Sequence, residues 1–144
     1  MYTHEQIKKT VQYLTKKYKT NDPFELADFN NILVIQKPLG SIYGFYKYIR
    51  KNRVIFINNS IETVEKKVVC AHELGHAILH PYENCTFLKK YTLFSTNRLE
   101  KEANLFTSFL LLPDEILEKY KDYTIYQISA ITFIPLEHIY IRHK

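Results

Sequence analysis

Residues 68–79 read Val-Val-Cys-Ala-His-Glu-Leu-Gly-His-Ala-Ile-Leu, and the five at the centre, His72-Glu73-Leu74-Gly75-His76, decide how the chain is understood. Ile61, Val64, Val68, Ala71 and Ile78 recur at helical spacing around them. They predict a core-facing stripe that runs to about Leu79, with Ser60 as the cap and Pro81 as the stop. Within such a helix, histidines four apart lie on one face about one turn apart, so both imidazoles can reach one ion. Zinc takes neutral imidazole nitrogens at about 2.0–2.1 Å. Glu73, next to the first histidine, can reach a water at that ion without binding the ion itself, as a general base must. Gly75 costs the helix about 1 kcal/mol against alanine, which is accepted where another backbone or a ligand comes close.

A catalytic zinc site commonly has three protein ligands. His80 follows His72 by eight residues, which on an ideal helix is about 80° of rotation and two turns away, and Pro81 crowds that end. Its spacing also departs from HExxHxxGxxH. The next helix, expected from about Arg98 to Leu112 with Asn97 as its cap, offers Glu100 and Glu102. Leu99, Glu102, Ala103, Phe106, Phe109 and Leu110 share one apolar stripe, so Glu102 points toward the core, where an ionised carboxylate needs an arginine, a histidine or a metal. Glu100 goes with Asn104 and Thr107 toward the polar side and serves the cap. Glu102 is the preferred third ligand, with a boundary ion pair as its plainer explanation.

Upstream of the motif, Thr3 and Gln6 form a capping-box pattern that opens a helix over about His4 to Lys19, and Asp22-Pro23 with Glu25 opens a short second one. Ile32 to Ile35, Ser41 to Tyr48 and Arg53 to Asn58 predict three strands, the last two joined at Arg50-Lys51-Asn52. Tyr82 to Ser95 reads as a loop or ragged hairpin. After Pro113, three short helices are expected, over about Asp114–Tyr120, Thr124–Thr132 and Pro135–Arg142.

The bulk numbers bound the class. A chain of 144 residues, 46% hydrophobic and 24% charged, is expected to be one domain able to bury a core without cross-links. No apolar run reaches membrane-span length and the N-terminal stretch does not resemble a signal peptide, so a cytoplasmic protein is expected, and it is expected to be a monomer. Cys70 and Cys85 do not look like a disulfide framework. Cys70 reads as a buried thiol, and Cys85, a short loop after His80, could approach the metal. The net charge of +5 permits an acidic partner, but the basic residues fall in small groups that solvated faces explain.

Three blocks in order resemble the ImmA/IrrE family of zinc metallopeptidases: Ala71-His72-Glu73-Leu74-Gly75-His76, then Glu100-Lys101-Glu102-Ala103-Asn104-Leu105-Phe106, then Leu110-Leu111-Leu112-Pro113. Ile55-Phe56-Ile57-Asn58 is similar to the family's strand before the motif helix. The resemblance covers about Gly44 to Ile116. It implies an α+β, zincin-like fold: a short sheet, the HExxH helix, a glutamate-bearing helix and a helical tail from about 113 to 144. It implies Zn2+ held by His72, His76 and Glu102, with Glu73 as general base. It implies a gluzincin-like endopeptidase that cleaves a helix-turn-helix repressor of a phage or mobile element and relieves repression. Thr107 and Leu112 replace the usual alanine and methionine, and Phe106 stands where a gluzincin would carry an aspartate. The tail resembles a small helix-turn-helix segment, but its turn, Phe133-Ile134-Pro135, lacks the usual glycine, which argues against direct DNA reading. The alternative function is a metal-binding regulatory module that binds a repressor or DNA without appreciable proteolysis.

Overall fold

The computed structural model describes residues 1–84 and 97–143, and of His143 the backbone only. The expected hairpin over Tyr82–Ser95 and the placement of Cys85 lie largely outside the described residues. The elements are α1 (His4–Tyr18), α2 (Pro23–Phe29), β1 (Leu33–Lys37), β2 (Gly44–Ile49), β3 (Asn52–Asn58), α3 (Thr63–Leu79), α4 (Arg98–Leu111), α5 (Asp114–Lys119), α6 (Ile125–Thr132) and α7 (Leu136–His143). The α+β class is as expected.

Local chemistry sets the boundaries. Thr3 and Gln6 close a reciprocal capping box on α1, and Thr124 and Gln127 do so on α6. Asp22 caps α2 through its side chain, but Glu25 does not close a box there. Its carboxylate accepts from the Thr20 hydroxyl, which in turn accepts the Asp22 N–H. The motif helix begins later than expected, with Glu62 rather than Ser60 at the cap, and the Ser60 N–H goes to the Asn58 side chain instead.

The sheet has the order β1-β3-β2, with β1 parallel and β2 antiparallel to β3. β2 and β3 are joined by a two-residue turn, Arg50-Lys51, with φ of 49° and 65°. Both residues are left-handed, which matches the twist of a hairpin but is costly for residues with a Cβ.

α3 crosses one face of this sheet. Gly44 permits the crossing, because a Cβ there would stand 2.6 Å from both the Phe56 carbonyl oxygen and Val69 Cγ1. α4 packs along α3 on its other side, and α1 and α7 pack on α4. Ile7, Leu26, Tyr46, Ile55, Ile57, Leu74, Phe106, Leu110, Ile128 and Ile139 are buried in one contiguous cluster that draws on every layer. At roughly 1.5–3 kcal/mol for each large apolar side chain removed from water, this cluster holds the two central helices in register. Gly75 sits where α4 comes closest, and a Cβ on it would meet Phe106 Cβ at 3.1 Å. Its cost in helix propensity therefore accompanies close helix packing, as the sequence suggested.

The C-terminal helices fold back onto the body. His138 and Ile139 of α7 are buried, and the Arg142 guanidinium donates to the Leu112 carbonyl oxygen and pairs with Asp114. Phe133 closes α6 at φ 63°, the left-handed position where a glycine would be usual.

A buried histidine–glutamate centre between two helices

α3 brings three of the expected site residues into the interior together. Residues 68–77 are all buried, so His72, Glu73 and His76 leave solvent as one block. Facing them across the α3–α4 interface is Glu100. His72 Nε2 lies 2.9 Å from Glu100 Oε2, and His76 Nε2 lies 3.0 Å from Glu100 Oε1. Ligand atoms of these three side chains fall within 4.8 Å of one another.

The expectation that Glu102 joins the two motif histidines is corrected here. Glu102 does point inward, at 3% exposure, but toward a different histidine. His80 Nε2 is 2.7 Å from Glu102 Oε1, the Tyr2 N–H donates to Glu102 Oε2 at 2.8 Å, and the Arg98 guanidinium stands 3.6 Å from Oε1. The plainer explanation, an ion pair at a buried boundary, describes Glu102. Residues two apart on a helix are separated by about 200°, so only one of the two glutamates can face the motif histidines.

α4 has no broad solvent side, so its apolar stripe does not mark the only inward face. Glu102, Ala103, Asn104, Phe106, Thr107, Ser108, Leu110 and Leu111 are all buried, since α3, α1 and α7 enclose the helix. Its polar stripe, Glu100-Asn104-Thr107, faces the centre rather than water. The signal was present: uncharged polar residues at helical spacing beside a lone glutamate mark a buried polar face better than a solvated one. Nor is Glu100 spent on the cap, where the Asn97 side chain accepts from the Leu99 and Glu100 N–H groups.

His80, the nearest alternative ligand by sequence, is not part of this cluster. Its Nδ1 is 3.1 Å from His76 Nδ1 and its Nε2 is taken by Glu102, so both ring nitrogens are engaged. Tyr46, a nearby tyrosine, commits its hydroxyl to the Pro81 carbonyl oxygen and so ties the end of α3 to the sheet.

The electrostatics follow from burial. Glu73 is 1% exposed and, among the described residues, neither carboxylate oxygen has a hydrogen-bond partner. Burial therefore pushes its carboxyl up to about 8, with the Glu100 charge adding to the rise and His72 opposing it. Burial pulls His76 down to about 4 despite its hydrogen bond to Glu100. Burial also opposes the charge on His72, but the Glu100 hydrogen bond, the Glu73 and Glu100 charges and the Asn104 side chain outweigh it, and its pKa rises. Burial works against ionisation of Glu100 too, yet the two histidines hold it well below the ordinary carboxylate range.

This donor set fits a divalent ion. Two imidazole nitrogens and a carboxylate oxygen converge, the combination typical of a catalytic zinc centre. The unpartnered Glu73 carboxylate beside them is the kind of orphaned buried group that a cation and its water would satisfy.

A profile of the peptidase M78 family, the IrrE N-terminal-like domain, matches residues 27–135. The chain belongs to this family. It is also similar to metallopeptidase ImmA of Bacillus subtilis (strain 168), 30% identical over 119 residues that cover 83% of this chain and 70% of that one. An uncharacterized immunity region protein 2 of Bacillus phage phi105 is 48% identical over 134 residues, 91% of this chain and 85% of that protein. Family and relatives together support a metallopeptidase, and the His72, His76 and Glu100 cluster suggests a metal ion. Among the described residues, no helix is long and apolar enough to cross a membrane.

Proposed function

We propose that this protein is a zinc-dependent endopeptidase that cleaves a helix-turn-helix repressor and so relieves repression of a phage or mobile element. The observation that carries the reading is the convergence of His72, His76 and Glu100 beside the buried, unpartnered carboxylate of Glu73. His72, His76 and Glu100 would hold the ion, Glu100 replacing Glu102 in the set expected from sequence. When bound, a divalent ion polarises the scissile carbonyl, acidifies the attacking water and favours the ionised form of Glu73.

Glu73 is the general base: it accepts the proton of the water as the peptide carbonyl is attacked and passes it to the leaving amine. With no hydrogen-bond partner among the described residues, both of its oxygens are available for this transfer. Glu100 keeps its negative charge across the physiological range, because the two histidines stabilise it. β2 has β3 as its only partner strand among the described residues, so its outer edge can pair with an extended substrate segment. The Asn84 side chain accepts the Tyr48 N–H at that edge. The relative from a phage immunity region supports a repressor as substrate. The reading takes the chain as one domain and a cytoplasmic monomer, and the single contiguous core supports the first of these. The packing of α7 on α4 supports a structural role for the tail rather than DNA reading.

The test is a cleavage assay with purified protein, zinc and the repressor encoded beside it, run against Glu73→Gln. Cleavage by wild type and not by the variant is expected. Zinc-loaded protein that binds the repressor but leaves it intact would instead establish a regulatory binding module.

A further inference from the structure

Three side chains lead away from the centre in a line. His76 Nε2 faces Glu100, while its other nitrogen, Nδ1, is 3.1 Å from His80 Nδ1. His80 Nε2 is 2.7 Å from Glu102 Oε1, and the Tyr2 N–H holds the second oxygen of Glu102 at 2.8 Å. His76, His80 and Glu102 are each at most 4% exposed, so water does not compete for these contacts.

Proton bookkeeping makes this line directional. A neutral imidazole carries one N–H, and a nitrogen that binds a metal cannot be the one that carries it. If His76 binds an ion through Nε2, its proton is on Nδ1 and must be donated. The atom it meets is His80 Nδ1, which can accept only if the proton of His80 is on Nε2. That proton faces the Glu102 carboxylate, whose two oxygens accept from His80 Nε2–H and from the Tyr2 N–H. Each contact is thus satisfied in one arrangement: His76 Nδ1–H to His80, and His80 Nε2–H to Glu102.

We propose that His80 and Glu102 are positioning residues for the metal centre, forming a carboxylate–histidine–histidine relay that fixes the ring orientation and tautomer of His76. The proposal rests on the reading of His76 as a metal ligand. The relay also explains a buried glutamate and a buried histidine that bind no ion themselves. It differs from the usual device, in which a carboxylate or carbonyl contacts the ligating imidazole directly, by the second imidazole placed between them. Through the Tyr2 amide it extends to the N-terminal segment, where the next residue, Thr3, caps α1.

The experiment measures zinc affinity by chelator competition for wild type, His76→Ala, His80→Leu, His80→Gln and Glu102→Leu, with circular dichroism to establish folding. His80→Leu and Glu102→Leu should each weaken zinc binding about 10–100-fold, as loss of such supporting partners does. His80→Gln, whose amide oxygen can accept from His76 Nδ1–H, should recover most of that loss. Loss confined to His76→Ala, with the other variants folded and binding like wild type, overturns the relay and leaves the metal site standing. Unchanged affinity in His76→Ala overturns the metal site itself. Equal loss in His80→Leu and His80→Gln would assign His80 to packing instead. Nitrogen-15 spectra of zinc-loaded wild type give a reading independent of any variant's folding. His80 should be protonated at Nε2 and not at Nδ1, and the opposite tautomer overturns the relay.

Discussion

Glu73→Gln should stabilise the metal-free protein at neutral pH, and the gain should depend on pH in a defined way. The wild-type carboxyl is buried without a hydrogen-bond partner and its pKa is pushed up from 4.5 to about 8. Between those values the unfolded chain has released the proton and the folded chain still holds it. The folded state therefore binds more protons, and stability falls as pH rises through that window. The contribution of this group is fully present below 4.5 and is lost by about pH 8. Each unit corresponds to about 1.4 kcal/mol, so by pH 7 Glu73 alone has cost the wild type about 3 kcal/mol. Glutamine keeps the shape and the unpartnered polar head but has no proton to release, so it avoids this loss. Urea unfolding of chelator-treated protein at about pH 5 and about pH 7.5 measures the difference. The variant should be close to wild type at the lower pH and clearly more stable at the higher. A gap of the same size at both pH values, or a variant less stable than wild type at the higher one, would refute the claim that burial of an unpaired carboxylate is stored here.

Three further outcomes follow from the geometry. Glu100→Gln should reduce zinc affinity by more than a hundredfold, whereas Glu102→Gln should leave a weakened but measurable site, and the reverse order in chelator competition would restore Glu102 as the third ligand. Gly44→Ala should destabilise by about 3 kcal/mol or more, because its Cβ would overlap the Phe56 backbone, while Gly75→Ala should cost about 1 kcal/mol, the overlap with buried Phe106 exceeding the gain in helix propensity; thermal melts of the two variants rank them. Replacing the turn Arg50-Lys51 by Asn-Gly should raise stability by about 1 kcal/mol in denaturant titrations, since both positions are left-handed.

The helices, the cap of α1, the three strands and the histidine pair of the motif were legible in the sequence. These are local matters: periodicity, capping side chains and a four-residue histidine spacing act within one or two turns. The pairing of α3 with α4 was also legible, in that a glutamate on the later helix had to meet the motif. Which glutamate it would be was not. Glu100 and Glu102 look alike from their own helix, and the wheel assigns the inward role to whichever lies with the apolar residues. That rule assumes one broad wet face, and α4 lacks it, because α3, α1 and α7 cover most of the helix. The rotation of α4 about its axis is fixed by Phe106 against Gly75 and by the contacts on its other sides. That rotation turns Glu100 toward His72 and His76 and leaves Glu102 to His80 and the Tyr2 amide. The choice between two carboxylates about 200° apart is a property of three-sided packing, and only the tertiary structure contains it.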